Sequence, residues 1–127
     1  AFYGRSGATA LPGALTEQTW RRLLDDREPM WALVAELSGT VVGLVHCIVH
    51  ASTSRAADVC YLQDLFTAPP ARGRGVAGAL IEAVYARAHA LGCGRVYWHT
   101  QAGNTTARRL YDRLAEHRGF VVYSHDL

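Results

Sequence analysis

A glycine-rich stretch of the sequence has the composition of a site that binds a phosphate group. Three glycines within residues 73–78 follow an apolar run that ends at Thr67, and Arg72 and Arg74 lie beside them. Backbone N–H groups at such a turn and at the start of the following helix can converge on one anion, and glycine has no Cβ to hold the anion away. The stretch therefore predicts a phosphate or pyrophosphate site, with a tight turn that binds no ligand as the alternative.

The spacing Gly73-x-Gly75-x-x-Gly78 fits the dinucleotide-binding fingerprint only as a bare pattern. In that fold the first glycine follows its strand almost directly, whereas residues 69–72 intervene here. The fold also needs an acidic residue about 20 positions later, at the end of the next strand. The predicted strand over 95–100 ends without one. The ATP-binding loop that requires lysine is excluded, because the chain contains no lysine.

Polar residues in predicted strands and helices supply candidates for catalysis. Asp64 lies within an apolar strand, where an unpaired charge is costly, so we expect this carboxylate to have a specific role. It could bind a substrate ammonium group, take the proton of that group through water, or pair with a buried arginine. Tyr111 lies at the edge of an apolar helical stripe, where a core role is the commoner interpretation. His46 and His50 lie roughly 13 Å apart at ~3.3 Å per residue, too far apart to bind one metal ion, and no metal site is predicted.

Hydropathy patterns predict the elements that position these residues. A helix before Pro29 is followed by strands at Met30–Leu37, Thr40–His50 and Val59–Thr67. After the glycine-rich loop come a helix up to residue 91, a strand over 95–100, a helix capped by Asn104 and a last strand over 120–124. Three strands precede the first helix that can cross the sheet. The prediction is therefore an α/β fold with a mixed sheet whose first half is antiparallel.

Length and composition limit the class of protein. The 127 residues suffice for one domain, and 50% of them are apolar, as in a globular protein with a core. The net charge of +2 is too small for a protein that coats nucleic acid, and no apolar stretch approaches the ~20 residues that span a bilayer. The three cysteines are odd in number and form no C-x-x-C pair, which favours a reducing, cytoplasmic location. No base adjoins Cys60 in the sequence, so we expect it to be a core residue rather than an acyl carrier. We interpret 1–127 as a single domain truncated at its N-terminus, since it opens without Met.

Two motifs in the second half of the chain resemble those of the GNAT acetyltransferases. R-x-x-G-x-A at residues 72–77, after a strand and prolines, resembles the coenzyme A pyrophosphate loop of that family. N-x-x-A-x-x-L-Y at 104–111, followed by G-F at 119–120, is similar to a second family signature. L-x-D-L-F at 62–66 looks closest to the branch that holds the spermidine/spermine and fungal Hpa-type enzymes. The resemblance implies a sheet with a V-shaped splay between two central strands, and the family's first strand is expected to be missing.

The resemblance also implies where acetyl-coenzyme A binds. The cosubstrate would lie between the strand that ends at Thr67 and the strand over 95–100, with strand backbone on its pantetheine and the glycine-rich loop on its pyrophosphate. The implied cofactor-binding residues are Leu65, Phe66, Thr67, Arg72, Gly73, Arg74, Gly75, Val76, Ala77, Gly78 and Asn104.

For the chemistry, the resemblance implies that Tyr111 gives a proton to the departing coenzyme A thiolate, while Asp64 handles the acceptor ammonium. Gln63, Asp64 and His46 would bind the acceptor. Gln63 stands where the polyamine branch has a glutamate, and an amide cannot take a proton.

The implied activity is direct acetyl transfer to a small-molecule or peptide amine, without metal, nucleic acid or membrane. A coenzyme A-binding module that has lost catalysis and a nucleotide-binding regulatory domain are the alternatives. An open sheet edge after residue 124 predicts a homodimer.

Overall fold

The computed structural model describes residues 13–127, without the side chains of residues 13–16 and 19. The first four predicted strands form in the predicted order. The expected absence of the family's first strand concerns residues before Gly13 and lies outside this range. The elements are α1 (Gly13–Leu24), β1 (Met30–Leu37), β2 (Thr40–His50), β3 (Val59–Thr67), a 3-10 turn (Pro69–Ala71), α2 (Val76–Ala90), β4 (Arg95–Tyr97) and α3 (Thr105–Leu114).

The sheet has the mixed topology that the sequence predicts. Its strand order is β1-β2-β3-β4, with antiparallel pairing up to β3 and parallel pairing between β3 and β4. Ser38 and Gly39, which join β1 to β2, have φ values of 51° and 79°. Two residues with positive φ are typical of the tight turn whose twist matches a hairpin. The predicted fold class is confirmed.

The core lies between α2 and one face of the sheet. The helix contributes Val76, Leu80, Ile81, Val84 and Ala88, and the sheet contributes Val45, Cys47, Cys60 and Leu62. The sequence predicts an apolar stripe on this helix made of Val76, Leu80, Ala83, Val84 and Leu91, and two of these residues do not belong to the core. Ala83 lies outside the arc centred on Leu80 and Val84 and is exposed, and Leu91 lies beyond the last helical residue and is half exposed.

The predicted last strand over 120–124 is wrong. Residues 115–127 form no regular element, and the side chains of Phe120 and Tyr123 are 83% and 91% exposed. A strand needs a neighbour for its backbone N–H and C=O groups, and this segment pairs with no strand of the described part. β4 ends at Tyr97 rather than 100, and α3 ends at Leu114 because Ala115 takes an extended conformation. Within residues 13–127, no helix is both long enough and apolar enough to cross a membrane.

Gly43 allows α2 to pack directly on β2. A Cβ built on this buried glycine would lie 2.8 Å from Cγ1 of Val76 and 3.0 Å from Cδ1 of Leu80. Those two side chains begin the buried face of α2. A side chain at position 43 would therefore displace the end of the helix that follows the glycine-rich loop.

Gly43→Ala should lower the free energy of unfolding by about 1–3 kcal/mol, because the added methyl group overpacks this contact. Urea unfolding followed by circular dichroism measures the change. Gly103→Ala is the matched control, since a Cβ there meets no atom within 4 Å and should change the free energy by less than about 0.5 kcal/mol. Equal effects of the two substitutions would show that α2 does not depend on the contact.

Candidate active site

The cleft of the molecule opens where β3 and β4 separate. The two strands pair only at Val59–Arg95, Cys60–Val96 and Tyr61–Tyr97, after which β3 continues to Thr67 and β4 ends. A bulge follows at once on β3. His46 faces Asp64 and the next residue of β2 faces Leu62, so Gln63 is the extra residue. A bulge bends its strand and increases the local twist, which contributes to the splay.

The cleft has a volume of about 340 Å³ and is walled by β3, α2, α3 and the segment after β4. Among the predicted site residues, Gln63, Leu65, Asn104 and Tyr111 line it. Asp64, Phe66, Thr67 and the glycine-rich loop are not among its lining residues. The sequence analysis missed the segment after β4, which lines the cleft with Trp98, His99, Thr100 and Gln101. Its position at the carboxyl end of a parallel strand, where ligands of α/β sheets bind, is the signal that could have found it.

Contacts with the rest of the core hold Tyr111 beside the cleft. Its ring meets that of Trp98 edge to face, with centroids 5.4 Å apart. Asn104 begins the helix as predicted, since its Oδ1 accepts a hydrogen bond from the N–H of Ala107 at 3.3 Å. At the other end, the hydroxyl of Tyr85 donates to the carbonyl of Leu114 at 2.8 Å. α3 is therefore fixed at both ends, with Tyr111 on its cleft side.

The glycine-rich loop has the backbone that the sequence predicts. Gly73 and Gly75 both have φ of +78°, a conformation that side chains with a Cβ rarely adopt, and Gly75 precedes the first residue of α2. No atom stands within 4 Å of a Cβ built at either glycine, so the space in front of the loop is open. Arg72 and Arg74 are exposed there, and Nε of Arg72 donates to the carbonyl of Thr67 at 3.4 Å. An anion in front of the loop would meet the start of α2 and two arginines.

Asp64 and His46 form a pair across β2 and β3. Nδ1 of His46 lies 3.1 Å from Oδ2 of Asp64, and the two side chains are 5% and 21% exposed. The strand register sets them opposite each other. The structure gives Asp64 an ion pair with a histidine, and the alternative pairing with a buried arginine stays a prediction. Two of the three predicted acceptor-binding residues are thus brought together.

An aromatic cluster lies on the sheet face away from α2. Tyr61 and Tyr97 alternate with core residues of their strands, and their rings stack with centroids 4.9 Å apart. The hydroxyl of Tyr61 lies 3.2 Å from Nδ1 of His99, and the hydroxyl of Tyr97 lies 2.7 Å from Nε2 of His50. Burial, with smaller contributions from Tyr97 and the Asp64 charge, raises the pKa of Tyr61, which keeps its phenol neutral.

Cys60 belongs to the core, as predicted, and so does Cys47. Cys47 and Cys60 are fully buried, and the hydrogen bond with Cys60 together with burial raises the pKa of the Cys47 thiol. A thiol without solvent access, such as that of Cys60, cannot serve as an acyl carrier.

Comparisons with known proteins identify the family. Residues 4–115 match the acetyltransferase (GNAT) family. The chain is 32% identical over 120 residues to the D-amino-acid N-acetyltransferase HPA3 of Saccharomyces cerevisiae, which covers 93% of this chain and 74% of that protein. It is 31% identical over 118 residues to the uncharacterized N-acetyltransferase YhfO of Bacillus subtilis, covering 91% of this chain and 77% of the relative. The chain belongs to the GNAT acetyltransferase family, and the expected likeness to the Hpa-type branch is confirmed.

Solved structures confirm the fold. The chain superposes with a TM-score of 0.80, at 22% identity, on AAC(6')-Iy in complex with a bisubstrate analog of coenzyme A and acetylneamine, over 91% of this chain and 81% of that chain. It superposes with a TM-score of 0.73, at 22% identity, on a ribosomal-protein-alanine N-acetyltransferase from Brucella melitensis, over 87% and 80% of the two chains. Together with the family match, this makes the protein an acetyl-coenzyme A-dependent N-acetyltransferase.

The expectation that the glycine-rich loop holds the pyrophosphate is tested by Gly75→Asp. This change places a carboxylate where the pyrophosphate is expected and should abolish coenzyme A binding in a protein that still folds. Gly75→Ala is the matched control, because it carries the same left-handed backbone strain, roughly 1–2 kcal/mol, without the charge. Titration calorimetry with coenzyme A compares the two, and equal affinities would remove the assignment.

Proposed function

We propose that the protein transfers acetyl from acetyl-coenzyme A directly to a primary amine while both substrates are bound. The observation that carries the proposal is the cleft between the separated strands, which has Tyr111 on its wall and lies one residue along β3 from Asp64. An opening at the splay lets an amine approach a thioester from the far side of the sheet. Holding the two reactants in contact supplies the main gain in rate.

The proposed position of the pantetheine follows from the hydrogen bonding of β3. Residues 62–67 pair with β2 along one edge of the strand, and β4 has already ended along the other edge. Leu65 and Thr67 direct their backbone groups to that second edge, where the amides of an extended ligand could bond to them as in strand addition, whereas Phe66 pairs with Leu44 of β2. The same edge leads towards the loop at residues 72–75, which would receive the pyrophosphate.

The test of this function is release of free thiol from acetyl-coenzyme A in the presence of single amines. The activity named for HPA3 makes D-amino acids the first acceptors, and L-amino acids, spermidine and an aminoglycoside complete the panel. A coenzyme A-binding module without catalysis would bind coenzyme A and release no thiol with any of them. If ATP or NAD displaces bound coenzyme A and desulfo-coenzyme A does not, the protein is a nucleotide-binding domain instead.

Tyr111 is proposed as the proton donor to the coenzyme A thiolate. It lines the cleft, and the edge-to-face contact with Trp98 fixes its ring. A neutral phenol near a forming thiolate is a competent acid.

Tyr111→Phe should therefore lower kcat by roughly 10²–10⁴-fold while the Kd for coenzyme A stays within twofold of wild type. Tyr85→Phe is the control, since it also removes one hydroxyl from the same region, but that hydroxyl holds the end of α3. The control should lower thermal stability and keep kcat. If Tyr111→Phe keeps kcat within about twofold, the tyrosine is a core residue and water supplies the proton.

Asp64 is proposed to attract the acceptor ammonium, with His46 as the residue that orients its carboxylate. The carboxylate of Asp64 is partly exposed while the imidazole of His46 is almost fully buried, so an approaching ligand would meet the carboxylate. Gln63, the bulged residue beside Asp64, is exposed and contributes an amide to the cleft wall.

Asp64→Asn keeps the shape of the side chain and removes its charge. It should raise the KM for the amine at least tenfold and leave the affinity for coenzyme A unchanged, because a charge-assisted contact is worth about 1.5–3 kcal/mol. Asp112→Asn, on the exposed surface of α3, is the matched control and should change neither constant. An unchanged amine KM together with a large drop in melting temperature would make Asp64 a structural residue.

The remaining finer points stay predictions from the sequence. They are the single-domain organisation, the cytoplasmic location and the homodimer. Within residues 13–127 the edge strands are β1 and β4, and β4 lies on the side where a strand after residue 119 was predicted, so we propose β4 as the edge that a partner would cover.

A further inference from the structure

His99 lies where the cleft meets the aromatic cluster. It is exposed, it lines the cleft together with Tyr111, and its ring contacts those of Tyr61 and Tyr97 at centroid distances of 5.2 and 5.9 Å. We propose that His99 is the general base that takes the proton of the acceptor ammonium, and that Tyr61 positions it. This proposal rests on the proposed amine acetylation and adds the group that the mechanism above lacks.

The reaction needs a base, because an ammonium group has no electron pair with which to attack a thioester. Gln63 lines the cleft but is an amide and cannot take the proton. Asp64 is paired with His46 and is not among the residues that line the cleft. Imidazole is the side chain that ordinarily exchanges protons near neutral pH, and His99 is the imidazole in the cleft lining.

The contact with Tyr61 leaves the second ring nitrogen of His99 for the substrate. Nδ1 is the atom 3.2 Å from the Tyr61 hydroxyl, and within the described part of the chain Nε2 has no recorded hydrogen-bond partner. With Nδ1–H donating to the phenol oxygen, Nε2 carries the lone pair that accepts a proton. The same bond persists in the imidazolium, whose two nitrogens both donate. The contact with Tyr61 therefore orients the ring so that Nε2 remains for the substrate.

The groups around this pair come from three strands and from the cleft wall. Tyr61 stacks on Tyr97, and the guanidinium carbon of Arg95 lies over the Tyr97 ring, 5.0 Å from its centroid. The hydroxyl of Tyr97 contacts His50, and the Asp64 charge acts on Tyr61. The cleft lining beside His99 is neutral: Gln63, Gln101, Asn104 and Tyr111. An imidazolium at position 99 would thus face neutral donors and acceptors, with Asp64 as the nearby negative charge.

The proton and electron balance of the step is complete without a further reactant. Nε2 of His99 takes one proton from the ammonium, and the freed amine forms a C–N bond to the thioester carbon as the carbonyl π pair moves to oxygen. The nitrogen then releases a second proton to water, the pair on oxygen returns, and the C–S bond breaks. The thiolate takes the proton of Tyr111, which solvent replaces. His99 passes its proton to solvent, so one proton is released for each amide formed.

The experiment compares pH–rate profiles of kcat/KM for the best acceptor of the panel above. In the wild type the rate should fall on the acid side, because protonation removes the lone pair of the base. His99→Gln should lower the rate at neutral pH by roughly 10²–10⁴-fold, lose that acid limb, and recover as rising pH frees the amine. Imidazole added to His99→Ala should restore part of the rate. His89→Gln, an exposed histidine at the end of α2, is the control and should keep the profile.

Tyr61→Phe separates the positioning role from packing. The ring stays in its stack while the phenol oxygen is lost, so the imidazolium loses the acceptor of its Nδ1–H. The rate should fall, although less than in His99→Gln, while the Kd for coenzyme A and the melting temperature stay at their wild-type values. A purely structural role would lower the melting temperature and leave the rate of the folded protein unchanged.

The possible failures are distinguishable. If the wild type turns over an amine and His99→Gln keeps both its rate and its acid limb, the base assignment is overturned while the acetyltransferase function stands. If the folded wild type binds coenzyme A and releases no thiol with any amine of the panel, the proposed function fails and the assignment fails with it.

Discussion

The early end of the parallel ladder between β3 and β4 is the constraint on which the site depends. A strand edge needs hydrogen-bond partners, and beyond Tyr61 no strand of residues 13–127 lies beside the second edge of β3. The bulge at Gln63 bends β3 at the same point, so the cleft begins where the backbone pairing stops. α3 closes one side of that opening and the aromatic cluster closes the other.

The parts of this arrangement that arise from local chemistry were predictable. Alternating apolar residues predicted three antiparallel strands, Asn104 predicted the start of a helix, and the glycines of residues 73–75 predicted a turn before a helix. Each of these signals depends on residues close together in the chain. That is why the family signatures, which are built from the same residues, could also be recognised, and why the predicted fold class agrees with the structure.

The parts that depend on register between distant segments were not predictable. The pairing of His46 with Asp64 follows from a bulge that no residue type announces. The sequence did not indicate a role for His99, because only the pairing of β3 with β4 brings it beside Tyr61. The strand expected over 120–124 has the apolar composition of a strand and lacks the neighbouring strand that would make it one. Composition predicts what a segment can form, and the available partners decide whether it does.

The three consecutive residues 97–99 alternate between the two sides of the sheet. Tyr97 and His99 contact the aromatic cluster, while Trp98 packs against Tyr85 and Tyr111 on the side of α2 and α3. The side that would hold the cosubstrate and the side that would receive the acceptor therefore share one short piece of backbone. Attempts to redesign acceptor preference here will also disturb the contact that orients Tyr111. Selectivity and turnover should consequently be hard to alter independently at these positions, and residues farther from this shared backbone offer better starting points.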